Sequence, residues 1–457
     1  MEVALHFPAC GGLLTPQGRA QHCQECARVH DADLKVGVGV VVRDELGCCC
    51  HVELSTPREG SASFFLAFAA TVTGGVLTAG DDAEDADVTG ITCANRARNH
   101  GCALAQISQQ SPEPIPATYD QPMAAPGAVR DQLSRGLRDL RISVTDRCNF
   151  RCPYCMPREL FGADHAFLPR AELLSFEEVA RLVRIFAALG VTKIRLTGGE
   201  PLLRRDLAVL VAEIAAIPGI SDLALTTNGS LLSAQAEALA AAGLRRITVS
   251  LDSLDPELFQ ELADSRVSVQ TVLEGIAAAS AAGLPVKLNT VLRKGVNDDG
   301  LLDLVDYARA HGHTLRVIEY MDVGTTNGWV LDQVVPSAQA RARVAAVHPL
   351  EPIGDEGTAE RWRFADGTGE MGFVSSVSKP FCGTCTRARL TAVGELFTCL
   401  FATSGTDLRA VLRSGATDVE LLDVVGGRWA SRDDRYSELR GLGTVGVARA
   451  EMSYLGG

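Results

Sequence analysis

From about residue 140 onward, short runs of alternating or continuous apolar residues are separated by longer stretches with apolar residues every three or four positions. The runs at 140–144, 193–196, 223–226, 246–250, 286–290 and 315–319 read as strands. The stretches at 175–189, 206–217, 231–242, 269–282 and 299–311 carry helical spacing. Strands separated by helices predict βαβ units and a parallel sheet. Six such units suit a partial α/β barrel of the TIM type, with chemistry at the C-terminal ends of the strands. The barrel is assigned to 133–329. Beyond it the alternation lapses, and 330–457 reads as a smaller terminal domain. Upstream, the Pro- and Ala-rich stretch 111–132 reads as a linker, and 1–110 as a separate module.

Composition narrows the function classes. Hydrophobic residues make up 46% of the 457 and charged residues 22%, enough for a sizeable core. A net charge of −13 argues against a general nucleic-acid or membrane-surface binder, while leaving room for a local basic pocket. No apolar run reaches the roughly 18 residues of a membrane span, and the first residues, MEVALHFPACGG, lack the pattern of a secretion signal. Eight of the 14 cysteines lie between Cys10 and Cys102, three between Cys148 and Cys155, and three between Cys382 and Cys399. Clustered thiols in a long chain predict metal sites in a reducing compartment, hence a cytoplasmic protein.

The middle cluster is the most informative. Cys148, Cys152 and Cys155 are spaced C-x3-C-x2-C directly after the first predicted strand, with Tyr154 before the last cysteine. Three thiolates on one loop hold three corners of a cubane iron–sulfur cluster and leave one iron open. A structural zinc would want a fourth ligand, and no Cys or His lies nearby. One βα unit later comes Thr197-Gly198-Gly199-Glu200-Pro201. The glycines would let backbone approach a ligand, and Glu200 could accept bonds from an ammonium; a plain turn is the bland alternative. Near the C-terminus, Cys382, Cys385 and Cys399 form C-x2-C-x13-C, for which zinc is a stronger rival. Arg387 and Arg389 beside them suit an anionic ligand, since guanidinium matches phosphate geometry.

The first triad and the GGE segment resemble the radical S-adenosylmethionine (SAM) superfamily. There an open iron chelates SAM, and one electron cleaves it to a 5′-deoxyadenosyl radical. Six segments taken together are similar to the GTP 3′,8-cyclase family of molybdenum-cofactor biosynthesis: RDLRISVTDRCNFRCPYCMP, KIRLTGGEPLLRRDL, LTTNGS, ITVSLDSL, KPFCGTCTRARL with Cys399, and the final SYLGG. The resemblance spans roughly residues 133–457. It implies two 4Fe–4S clusters, one on Cys148, Cys152 and Cys155 with SAM, the other on Cys382, Cys385 and Cys399 beside guanine. It also implies SAM contacts at Tyr154, Gly198, Gly199, Glu200, Ser250 and Met321. GTP contacts are implied at Arg141, Arg195, Thr226, Lys287, Arg387, Ala388 and Arg389. The terminal Gly456-Gly457 would reach into the active site, acting there with Arg387 and Arg389. The implied reaction is hydrogen abstraction from ribose C3′ of GTP and attack of that carbon on C8, giving 3′,8-cyclo-7,8-dihydro-GTP. A reductant protein and a downstream cyclic pyranopterin monophosphate synthase follow as partners, and a homodimer is the commonest oligomer for such a chain.

The first 110 residues depart from that family. Cys10, Cys23 and Cys26, with His6 or His22, resemble a degenerate zinc ribbon in which Phe7 stands where a first cysteine belongs. Residues 35–47 and 64–82 resemble strands of a Nudix hydrolase, but the glutamate-rich box is missing: Glu53 and Glu59 have the wrong spacing. The expectation is a small α+β or mostly β remnant without catalysis, and Cys48, Cys49 and Cys50 are read as incidental. Two other functions stay open at the level of sequence. One is a different radical SAM enzyme such as a peptide maturase, which would carry more terminal cysteines. The other is a non-catalytic metal-binding protein.

Overall fold

The computed structural model describes residues 129–457 except 163, 441–448 and 457, together with eight short strands between residues 14 and 93. The chain divides into two compact units, Met1–Gln121 and Pro122–Gly457. In the first, strands Leu14–Gln17, Ala20–Cys23 and Val29–Asp31 form one antiparallel sheet, and Val40–Arg43, Cys49–Ser55 and Asp87–Cys93 another. The zinc candidates His6, Cys10 and Cys26 lie outside the described residues, as do the side chains of His22 and Cys23.

In the second unit, six parallel strands lie side by side in chain order. They are β1 (Asp139–Ser143), β2 (Lys193–Thr197), β3 (Asp222–Thr227), β4 (Arg246–Ser250), β5 (Val286–Leu292) and β6 (Thr314–Glu319). Helices connect them: α1 (Phe176–Ala188), α2 (Leu207–Ala215), α3 (Ala236–Ala241), α4 (Pro256–Ala263), α5 (Val269–Ala281) and α6 (Leu301–Ala310). Local chemistry sets their starts. Ser175 and Glu178 form a reciprocal capping box at α1, and Ser268 caps α5 by accepting from Thr271 N–H. The helix α4, absent from the sequence expectation, begins at Asp255-Pro256, a cap followed by proline in the first turn.

The strand pattern splits the residues between two environments. Leu140, Ile142, Ile194, Leu196, Leu225 and Ile247 are completely buried in the hydrophobic core that the helices share. Their alternates, Arg141, Arg195, Thr226, Thr248, Asn289 and Arg316, are polar and take the opposite face. Parallel strands covered on both sides normally read as continuous apolar runs. Polar residues in one phase therefore mark an interior kept for a ligand.

The 330–457 segment shares the barrel's sheet. After α7 (Ser337–Ala345) come β7 (Leu350–Glu356), β8 (Ala359–Phe364) and β9 (Glu370–Val374); β10 (Arg387–Leu390), β11 (Glu395–Phe397) and β12 (Thr406–Asp407) follow. β9 pairs parallel with β6, and β10 pairs parallel with β1. Both raw edges of the six-strand arc are thus covered, so neither leaves a ladder of unpaired backbone groups. The antiparallel partners β7–β8 and β11–β12 then extend one twelve-stranded sheet. The chain ends in α8 (Leu408–Arg413), α9 (Asp418–Ala430), α10 (Tyr436–Leu439) and α11 (Met452–Leu455). No helix among the described residues is long and apolar enough to cross a membrane.

Candidate active site

The loop after β1 carries the first thiol triad, and the loop after β2 holds it in place. Gly199 N–H donates to Thr145 O at 2.8 Å, and Glu200 N–H donates to Arg147 O at 2.7 Å. A Cβ on Gly199 would stand 2.3 Å from Arg147 O, and one on Gly198 2.8 Å from Thr145 O. The glycines are therefore required by the cluster loop itself, although both also border the cavity. Gly199→Ala is expected to push that loop away and abolish SAM cleavage. After iron reconstitution the variant should hold less iron than wild type by colorimetric assay, through loss of the Cys148, Cys152 and Cys155 site.

Glu200, expected at the SAM end, is held among protein donors. It is 1% exposed and does not border the cavity. Its carboxylate accepts from Leu202 N–H at 3.0 Å, from Thr227 Oγ1 at 2.7 Å and from Asn228 N–H at 2.7 Å. Burial pushes its pKa up to about 7 against those bonds. Glu200 is a brace between the loops after β2 and β3. Asn228, positioned by it, donates to Asn149 Oδ1 at 2.9 Å and faces Cys148 Sγ at 3.9 Å.

Cys148, Cys152 and Cys155 border a cavity of about 310 Å3, and so do Cys382, Cys385 and Cys399. Burial pushes the thiols of Cys148, Cys155 and Cys399 up, to about 11, 12 and 12. Burial also acts on Cys385, but Arg387 and Arg432 outweigh it and bring that thiol down to about 7. Among the described residues, no three His, Cys, Asp or Glu side chains are grouped as a single metal ion requires. Three thiols around open space, with no fourth protein ligand, suit a cubane cluster with one free iron better than they suit zinc. The second triad sits on a charged frame. Arg135 donates to Cys382 O at 2.7 Å, and Arg432 donates to Cys385 O at 2.9 Å. Asp131, with a side chain 0% exposed, pairs with both arginines at 2.6 and 3.1 Å.

Of the other expected SAM positions, Tyr154, Ser250 and Met321 border the cavity. Tyr154 donates to Asp252 Oδ2 at 2.6 Å, which fixes its ring. Of the expected GTP positions, Arg141, Thr226, Arg387 and Arg389 border it. Arg195 does not: it lies beneath, donating to Thr226 and Thr248 Oγ1 at 2.9 Å each. Lys287 also stands off the cavity, paired with Glu356 at 2.9 Å. Ala388 is packed into the apolar core, in the opposite phase of β10 from Arg387 and Arg389. Burial, reinforced by neighbouring guanidinium groups, lowers Arg141 to about 10 and Arg195 to about 9, and depresses Arg389 as well. Arg141 and Arg195 each keep a buried Nε without a partner. Such unbalanced positive charge calls for an anion. Asp252, Asn289 and Arg316 also border the cavity and escaped the sequence reading. Asn289 and Arg316 occupy the inward phase of their strands, a signal that was present.

The C-terminal tail enters from the side. Arg389 Nη1 donates to Gly456 O. Gly456 has φ +74°, and a Cβ there would lie 2.3 Å from Thr197 Oγ1. Gly457 lies outside the described residues. Upstream, Glu451 accepts from Thr325 and Thr326 hydroxyls at 2.8 Å each, and Tyr454 donates to Glu395 Oε2 at 2.6 Å.

Residues 142–308 match the Radical SAM superfamily, and residues 313–438 match Molybdenum Cofactor Synthesis C. A GTP 3′,8-cyclase of Acidothermus cellulolyticus is 51% identical over 72% of this chain and 99% of its own length. Another from Xanthomonas axonopodis pv. citri is 52% identical over 73% of this chain and 100% of its own. One from Staphylococcus aureus is 47% identical over 72% and 99%. Two thiol triads on one guanidinium-lined cavity, within a barrel matched along nearly the whole length of these relatives, place the chain in the GTP 3′,8-cyclase family of radical SAM enzymes.

Proposed function

We propose that the chain converts GTP to 3′,8-cyclo-7,8-dihydro-GTP as the first step of molybdenum-cofactor synthesis. The observation that carries this reading is the shared cavity, lined by both thiol triads and by Arg141, Arg387 and Arg389. Cys148, Cys152 and Cys155 would hold the cluster that binds SAM. Cys382, Cys385 and Cys399 would hold a second cluster beside guanine. When bound, the first cluster and SAM supply the radical that takes hydrogen from ribose C3′.

The chain's own residues place and shield the substrate. Arg141, Arg387 and Arg389 face the cavity and match a triphosphate by charge; Arg195 supports them through the Thr226 hydroxyl it engages. Tyr154, held by Asp252, and the Gly198–Gly199 backbone border the SAM end. Ser250, the last residue of β4, and Met321, just beyond β6, also border the cavity. No general base is required for the hydrogen transfer, so the protein's task is distance and orientation. An external one-electron donor and a separate pyranopterin-forming enzyme would complete the pathway.

Arg389→Ala is expected to weaken GTP binding by about 10- to 100-fold, the worth of a charge-assisted contact. Iron content should be unchanged; calorimetric titration and iron analysis check this together. The C3′ assignment is tested with GTP deuterated at that carbon. Deuterium appearing in 5′-deoxyadenosine supports it, and its absence despite turnover moves the abstraction to another carbon.

A further inference from the structure

Glu356 stands at the tip of the β7–β8 hairpin, beside a turn in which Gly357 has φ +63°. Its carboxylate lies 2.9 Å from Lys287 Nζ and 3.7 Å from Arg316 Nη2. The two cations are sheltered, at 15% and 16% side-chain exposure, whereas Glu356 is 39% exposed. Lys287 occupies the inward phase of β5, Arg316 borders the cavity, and so does Thr358, two residues beyond Glu356. The carboxylate therefore meets Arg316, which lines the cavity, from its more exposed side, on a hairpin whose outer strand β7 pairs with β8 alone.

We propose that Glu356 is a built-in counter-anion for the phosphate subsite, holding Lys287 and Arg316 until the triphosphate of the substrate displaces it. The inference rests on the proposed GTP reading and adds the residue that sets polyphosphate affinity. A carboxylate and a phosphate oxygen compete for the same N–H donors. Arg141, Arg195, Arg387 and Arg389 already crowd the interior with like charge, so an empty subsite gains from a resident anion. Leaving costs Glu356 little, because its tip is partly in water. If the pair only pinned the hairpin, removing the charge would weaken substrate binding or leave it unchanged. If Glu356 competes with phosphate, removing the charge tightens binding, and only for phosphate-bearing ligands.

The test is equilibrium binding of guanosine, GMP, GDP and GTP to the reconstituted full chain with SAM and without reductant, so that no turnover occurs. Glu356→Gln is compared with wild type, and Glu356→Ala removes the same charge by a second route. The expected result is GTP binding about 3- to 10-fold tighter in both variants, a gain that grows with phosphate number. Guanosine affinity should stay within about twofold, as expected for a ligand that does not reach the pair. Unchanged or weaker GTP binding in folded, iron-replete variants overturns the proposal while the GTP reading stands. Wild-type protein that fails to bind GTP at all overturns both, and is recognised as such because it needs no variant.

Discussion

Gly456→Ala is expected to lower cyclised product by about 100-fold or more, the cost of an ångström-scale misplacement in a positioned reaction. Iron content should be unchanged. At φ +74° any side chain is strained, and the new Cβ would lie 2.3 Å from Thr197 Oγ1 and 3.3 Å from Ser143 Cβ. Thr197 cannot yield easily, since it is the last residue of β2 and its backbone carbonyl accepts from Val144 N–H at 2.9 Å. Nor can the tail slide, because Glu451 and Arg449 tie it to the segment after β6 and Tyr454 ties it to β11. The clash must be relieved by withdrawing residue 456, which deprives Arg389 of its carbonyl partner and frees a guanidinium that borders the cavity. Product formation followed by mass spectrometry, beside an iron assay, checks this. Turnover within about threefold of wild type would mean that the tail is only a packed terminus.

Arg432→Met is expected to destabilise the second unit by about 3–5 kcal/mol, the usual cost of leaving a buried charge with too few partners. Its side chain is 1% exposed, and that of Asp131, which it pairs with, is 0% exposed. The same guanidinium donates to Cys385 O at 2.9 Å and to Asp434 Oδ2 at 3.3 Å, and stacks over Trp429 at 4.5 Å. Losing it unsettles the 382–385 turn, so weakened iron retention at the second triad should accompany the loss of stability. Urea denaturation reads the first effect and iron content the second. Adding Asp131→Asn should not recover the stability, because that carboxylate still holds Arg135 at 2.6 Å.

The six barrel strands and five of the helices between them were legible because each is written in a local period. The cysteine loops were legible because ligand spacing is a local property too. What escaped depends on register between distant segments. Nothing within residues 370–374 or 387–390 announces that β9 and β10 complete the two edges of the barrel. The GGE segment was legible, but its packing against the loop after β1 was not. Gly199 is glycine because Arg147 O lies against it, and Glu200 is acidic because three donors from two loops converge on it. Arg316 and Asn289 carried a visible sign, a polar residue in the inward phase of an otherwise apolar strand. Glu356 carried none, since its partners lie 69 residues away for Lys287 and on a different strand for Arg316.

One cavity lined by both thiol triads should couple SAM cleavage to GTP. The direct measurement is 5′-deoxyadenosine formed by anaerobically reconstituted protein with SAM and dithionite, in the presence and absence of GTP. The account expects GTP-dependent 5′-deoxyadenosine accompanied by an equal amount of 3′,8-cyclised product. Cleavage indifferent to GTP, with GTP recovered unchanged, would contradict it.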